Sequence, residues 1–366
     1  MKIRAALLRE PKKPFEIATL DLDAPKNGEV LVRIVAVGVC HSDWHLASGA
    51  TKHPFPVVAG HEGAGVVEAV GPGVAGIAVG DHVILNWAPS CGTCFYCLRD
   101  RANLCETYTA PIWAGTMLDG TTRLSLGDKP VYSYCGLAAF ASHTVVPQQS
   151  CVVIDKEIPL GSACLVGCAV ATGAGAAMFT AKVLPGESVL VFGCGGVGIS
   201  VIQGARICGA DPIIAVDARP EKIWIAKHFG AQSFLQASDD VANIIRDKTG
   251  GRGADHVFEA VGIPALQEKA LECVRPGGTL TLAGLAPMGS STNFPSAVIA
   301  RQEKTIRGSY YGTVNAHRDF PKLLELYSSG KLNLDDMITR RYSLEQINDA
   351  YRDMLNGELA RGVIIL

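Results

Sequence analysis

The stretch from Ser188 to Asp217 constrains the fold more than any other part of the chain. An apolar run, Ser188 to Phe192, leads into Gly193-Cys194-Gly195-Gly196-Val197-Gly198, then a helical stretch to Cys208, a second apolar run from Pro212 to Val216, and an acid. Glycines between a strand and a helix permit a tight turn and a close backbone approach, and the helix N-terminus favours negative charge. The segment therefore reads as a βαβ half built to hold a pyrophosphate. A helical Pro220 to Phe229 and strands at His256 to Glu259 and Thr279 to Ala283 continue the alternation, the last introduced by a Pro276-Gly277-Gly278 turn. This predicts an α/β domain with a doubly wound parallel sheet. Asp217 stands 19 residues after Gly198, where a carboxylate accepts bonds from ribose hydroxyls and repels a 2′-phosphate, so NAD is favoured over NADP. Arg219 is basic enough to cradle that phosphate, but the carboxylate should outweigh it.

The first half follows another grammar. Apolar runs at Val30 to Val39, Gly63 to Val70 and His82 to Leu85 are punctuated by glycine and proline, which predicts an irregular β domain with its chemistry on loops. At 366 residues and 48% apolar content the chain accommodates two cores. A net charge of -2 gives no field for nucleic acid or an anionic membrane. The start of the chain lacks the apolar core of a secretory signal, so a cytoplasmic protein is expected. The uncharged run Ile158 to Ala181 is long enough to span a membrane, but its glycine and alanine content suits a helix buried in protein instead.

Cys91, Cys94, Cys97 and Cys105 form a C-x2-C-x2-C-x7-C run, a spacing that brings four thiolates to one tetrahedral zinc. Polar neighbours such as Ser90, Thr93 and Arg99 argue against core thiols. A zinc ribbon for nucleic acid would need a basic face that this chain lacks. Cys40, His61 and Cys168 offer two sulfurs and one nitrogen, the set with which a catalytic zinc keeps a fourth position open. Asp43 is placed to accept the second ring N–H of His61, and Glu62 to sit behind the metal.

Together Cys40-His41-Ser42-Asp43-Trp44-His45, Ala59-Gly60-His61-Glu62-Gly63, Gly80-Asp81-His82-Val83, the four-cysteine lobe, Gly167-Cys168 and the glycine motif with Asp217 resemble the zinc-dependent medium-chain alcohol dehydrogenases of the longer, two-zinc type, over nearly the whole chain. The resemblance implies a GroES-like catalytic domain at 1–169 carrying the zinc lobe at about 90–106, an NAD-binding Rossmann domain at 170–310, and a return to the catalytic domain at 311–366. It implies a catalytic zinc on Cys40, His61 and Cys168 with Glu62 as a transient ligand, a structural zinc on Cys91, Cys94, Cys97 and Cys105, and a proton relay through Ser42 and His45. Beside Gly193, Gly195, Gly196, Val197, Gly198 and Asp217, it assigns NAD contacts to Lys222, Arg361 and His41, the last standing where the family often has an arginine. By the same correspondence Ser42, Trp87, Tyr134, Cys135, Leu285 and Tyr310 line the substrate pocket.

The implied reaction is reversible oxidation of a primary alcohol to an aldehyde: an alkoxide on zinc gives hydride to NAD. A homodimer or homotetramer is expected, acting on a small-molecule alcohol or aldehyde. Glutathione-dependent formaldehyde dehydrogenases share the scaffold, but the places of their charged glutathione anchors fall here on Thr51 and about Thr109, which makes S-(hydroxymethyl)glutathione the poorer substrate. A nicotinoprotein that keeps NAD bound, and a zinc- and nucleotide-binding sensor without turnover, are the other arrangements these residues allow.

Overall fold

Val189–Phe192 is buried at every position, as a parallel strand covered by helices on both faces must be. It is the centre of a six-stranded parallel sheet in the order Ser233–Gln236, Ile213–Asp217, Val189–Phe192, Ala254–Glu259, Val274–Leu282, Thr305–Gly308. That is the doubly wound arrangement in which two halves diverge from a central pair, leaving a crevice at the carboxyl ends of the strands where the order reverses. Leu190, Phe192, Ile214, Val216, Val257 and Leu280 form its core together with Ile245 and Leu271 from the flanking helices. The Pro276-Gly277-Gly278 segment does not precede its strand as expected. It lies within Val274–Leu282 as an irregularity, the register stepping from Val274 opposite Ala254 to Thr279 opposite His256.

The computed structural model describes residues 1–366, which divide into two units. The parallel sheet belongs to the unit formed by Ala169–Val314 and Ser329–Asn333; the other comprises Met1–Cys168, Asn315–Ser328 and Leu334–Leu366. The charge-free run is broken into short helices, Leu160–Ala163, Cys164–Gly167, Ala169–Gly175 and Ala176–Ala181. No single helix in the chain is long and apolar enough to cross a membrane.

In the first unit, Lys2–Leu8, Glu16–Leu22, Leu124–Leu126, Lys129–Ser133 and Val57–Val58 close a small barrel. A second sheet is built around Glu29–Gly38, which pairs antiparallel with Gly63–Val70 and with the C-terminal strand Arg361–Ile365. Val37 lies opposite Gly63, and Gly38 opposite Val363, so the end of the central strand has the start of Gly63–Val70 on one side and residues from the far end of the chain on the other.

One expectation for this unit fails. The chemistry does not all sit on loops: residues 41 to 47 form the helix His41–Ala47, with Cys40 as its N-cap residue. Its buried positions are Asp43, Leu46 and Ala47. An acid among three inward-facing residues conceals the apolar periodicity by which a helix is read from sequence.

Candidate functional site

Three separate elements deliver the side chains that could hold a metal ion. Cys40 comes from the N-cap of His41–Ala47, His61 from the turn before Gly63–Val70, and Cys168 from the end of the Cys164–Gly167 turn. With Glu62, their ligand atoms all lie within 4.8 Å of one another, and all four residues are buried. Nδ1 of His61 stands 2.9 Å from Asp43 Oδ2. Asp43 Oδ1 accepts the Gly60 N–H at 2.8 Å, so the carboxylate holds both the imidazole and the turn that carries it. The other ring nitrogen, Nε2, is buried with no oxygen or nitrogen partner, and the thiols of Cys40 and Cys168 are the groups His61 meets besides Asp43. A buried polar atom in that state is costly unless something binds it.

Burial disfavours an imidazolium here, but Asp43 and the neighbouring Cys168 and Cys40 outweigh it and hold His61 well above the ordinary histidine range. The Cys40 thiol is drawn well below its usual value, chiefly by the hydrogen bond from Cys168 and against the effect of burial. One soft thiolate, a second thiol, and an imidazole oriented by a carboxylate are the donor set that suits zinc. Glu62 is buried and ion-paired with the equally buried Arg361. Burial raises the Glu62 carboxyl to about 7, with Arg361 opposing. Arg361, expected at a cofactor phosphate, is here paired with Glu62 near Cys40 and Cys168.

The second cluster is less deeply buried, Cys91, Cys94 and Cys97 being partly exposed and Cys105 buried. Cys91, Cys94, Cys97 and Cys105 also bring their sulfurs within 4.8 Å of one another. Backbone N–H groups of Thr93 and Cys94 donate to Cys91 Sγ at 3.4 and 3.3 Å, and the Cys91 N–H donates to Cys105 Sγ at 3.3 Å. Hydrogen bonds from Thr107 and then from the Thr93 backbone lower the Cys91 thiol to about 5. Phe95 and Leu98 between the cysteines are exposed, so the large apolar side chains of this segment do not pack inside it. Four thiolates around one cation fit the task.

In the second unit the strand Val189–Phe192 runs through Gly193 into Gly196–Ile207, with Gly195 as N-cap. A side chain at Gly198 would overlap the carbonyl oxygen of Gly193, so only glycine lets the helix close onto the turn. Asp217 ends the adjacent strand; its two oxygens accept the Cys194 N–H at 2.7 Å and the Arg219 N–H at 2.9 Å. A carboxylate has about four acceptor sites, so it can brace the glycine turn and still receive ribose hydroxyls. Lys222 follows in the turn Pro220–Lys222, its ammonium lowered by burial with Asp217 opposing.

The sequence agrees with this geometry when set beside known proteins. Residues 26–156 match the family described as alcohol dehydrogenase GroES-like domain, and residues 196–329 that described as zinc-binding dehydrogenase. The NDMA-dependent alcohol dehydrogenase of Amycolatopsis methanolica is 40% identical over 100% of this chain and 99% of its own length. The chain belongs to the zinc-dependent medium-chain alcohol dehydrogenase family. It is an oxidoreductase with a GroES-like domain and a Rossmann domain. The S-(hydroxymethyl)glutathione dehydrogenase of Paracoccus denitrificans is 39% identical over the full length of both chains. The crystal structure of benzyl alcohol dehydrogenase from Acinetobacter calcoaceticus superposes with a TM-score of 0.95 at 30% identity, covering 100% of this chain and 99% of that one.

The structure places the remaining expected residues as follows. His41, Ser42 and His45 all lie on the helix after Cys40, and Ser42 and His45, three apart, share one of its faces. Sequence alone offered no spacing rule for His45; the helix supplies it. Cys40 Sγ and Ser42 Oγ lie 3.9 Å apart. Tyr134 donates its hydroxyl to the Ser42 carbonyl at 3.1 Å and sets its ring edge-on to His61 with centroids 6.0 Å apart. Trp87 and Cys135 are buried in the same unit, Cys135 at a positive φ of 52°. Leu285 and Tyr310 belong to the second unit, where Leu285 is exposed.

Proposed function

We propose that this chain interconverts primary alcohols and aldehydes with NAD as hydride acceptor, using a catalytic zinc on Cys40, His61 and Cys168 and a structural zinc on Cys91, Cys94, Cys97 and Cys105. The observation that carries the reading is the buried convergence of His61, its Nδ1 beside the Asp43 carboxylate, with two thiol sulfurs within 4.8 Å. Bound in these places, zinc supplies a Lewis acid for the alcohol oxygen and NAD an acceptor for the hydride. The chain's own residues do the rest. Ser42 Oγ, beside Cys40, takes the alcohol proton and passes it along the helix face to His45, which is only half-buried and so reaches water. Tyr134, bonded to the Ser42 carbonyl, fixes that helix against the site. Asp217 selects NAD by offering acceptors where NADP carries a phosphate.

Trp87, Tyr134 and Cys135 supply an aromatic and apolar wall that suits an unhindered primary alcohol, aromatic ones included. Thr51 and Thr109 provide no charge for glutathione carboxylates, and the Thr109 hydroxyl already donates to the Cys105 carbonyl at 2.7 Å. The relative named for NDMA dependence, 40% identical throughout, supports a second reading in which NAD stays bound and an external acceptor recycles it. Twelve cysteines, none of them in a disulfide, support residence in a reducing compartment, the cytoplasm. Turnover of an alcohol panel by the purified protein, with and without added NAD, tests all of this. Oxidation only with added NAD supports an exchangeable cofactor, oxidation with an artificial acceptor alone supports the permanent one, and no product with either would reject the reading.

A further inference from the structure

Glu62 occupies two neighbourhoods at once. Its carboxylate lies within 4.8 Å of the ligand atoms of Cys40, His61 and Cys168, yet it is ion-paired with Arg361. Whether the fourth position of the site is open depends on which partner keeps the carboxylate, so something must hold it on the guanidinium. The pair is made by topology: Glu62 directly precedes Gly63–Val70, Arg361 begins Arg361–Ile365, and both strands flank the end of Glu29–Gly38. Residue 38 sits between them. Its N–H donates to the Glu62 carbonyl at 3.0 Å, and the next N–H, of Val39, donates to the Gly362 carbonyl at 2.9 Å.

Gly38 has an ordinary extended backbone, so no torsional demand explains a glycine there; its φ is not positive. Space explains it. A Cβ at this position would overlap Glu62 Oε2 and stand 3.0 Å from Glu62 Cδ and from Arg361 Nη2. The volume in which the pair forms is the volume a side chain at residue 38 would fill.

We propose that Gly38 is a positioning residue for Glu62: the missing side chain is what lets the carboxylate rest on Arg361, away from the fourth position of the Cys40, His61 and Cys168 site. With any Cβ at residue 38 the carboxylate is displaced toward the ligand cluster, the nearest buried place with a positive partner, and competes there with incoming ligands. This inference rests on the zinc reading above, and metal analysis of the wild-type holoenzyme separates the two: zinc found only in the four-cysteine lobe defeats that reading, whatever Gly38 does.

The test uses holoenzyme with cobalt exchanged into the catalytic site and imidazole as the incoming ligand, followed by visible absorbance. Gly38→Ala is expected to weaken imidazole binding roughly tenfold, within the range by which partners outside the ligand shell alter metal sites. Adding Glu62→Asp shortens the acid by one methylene, keeps its charge for Arg361, and should restore binding to within about threefold of wild type. Unchanged binding in folded Gly38→Ala, or equal weakening in the double variant, overturns the proposal, because the effect would then not pass through Glu62. If Gly38→Ala alone fails to accumulate as folded protein, the double variant must recover; its failure to do so also overturns the proposal.

Discussion

At the scale of single residues, the two metal sets differ in how far the sequence reveals them. Cys91 to Cys105 is legible because the ligands lie on one short loop, where spacing is geometry. Cys40, His61 and Cys168 are separated by most of a domain, and only the pairing of strands brings them together; without the family resemblance each reads as an ordinary buried residue. The Glu62–Arg361 pair, 299 residues apart, leaves no local trace at all. Cys168→Ala should therefore separate chemistry from cofactor binding. Turnover should fall by more than about 100-fold, the upper cost of losing a mere outer partner of a metal ligand, while NADH affinity by fluorescence titration stays within about twofold. Retained turnover would remove Cys168 from the ligand set. Asp217→Gly probes the other unit. It withdraws ribose acceptors and the brace on Cys194 together, so the NAD to NADP ratio of kcat/KM should drop at least about tenfold, equivalent to about 1.4 kcal/mol. An unchanged ratio would mean that Asp217 serves the glycine turn alone.

At the scale of elements, the four central parallel strands were legible because their burial makes them apolar runs, whereas the outer strands Ser233–Gln236 and Thr305–Gly308, with no buried residue, gave no such run, and the helix His41–Ala47 was hidden by its inward-facing Asp43. The loop after the zinc lobe shows a further device that composition could not reveal. Arg123, almost fully buried, donates to both oxygens of buried Glu29 and to Asp119 Oδ2 at 2.9 Å, and Lys26 reaches the same Asp119 oxygen at 3.1 Å. The network ties the start of Glu29–Gly38 to residues 119 to 123. Arg123→Ala leaves the Glu29 carboxylate buried and unpaired, which should cost about 3–5 kcal/mol and show as a lowered melting temperature. A loss below about 1 kcal/mol would mean that water replaces the guanidinium. Phe95 and Leu98 of the lobe are exposed, so on the zinc reading its shape should depend on the cation. Cys97→Ser should lower zinc from two ions per subunit to one and open residues 90–106 to protease before it changes the kinetics of surviving enzyme; two retained ions would contradict the lobe's assignment.

At the scale of the whole molecule, the parallel sheet poses a problem that one chain does not solve. Thr305–Gly308 is an edge strand, bonded on one side to Val274–Leu282 and on the other to nothing, and no residue in it is buried. The helix before it, Ser296–Arg301, has no buried residue either, and Val298 is exposed on it. Soluble proteins protect such edges with charge, proline or cover, because a bare row of N–H and C=O groups pairs with whatever strand it meets. Here the apolar side chains nearby point to cover, and a second copy of the same strand, turned about a two-fold axis, is self-complementary in hydrogen bonding. The protein is accordingly expected to sediment as a dimer of 38.6 kDa chains at micromolar concentration. Val298→Glu places charge in that contact and should shift the equilibrium toward monomer without changing the near-ultraviolet spectrum of the fold. A monomeric wild type, or a dimer indifferent to Val298→Glu, would leave the edge to be explained by some cover other than its own twin.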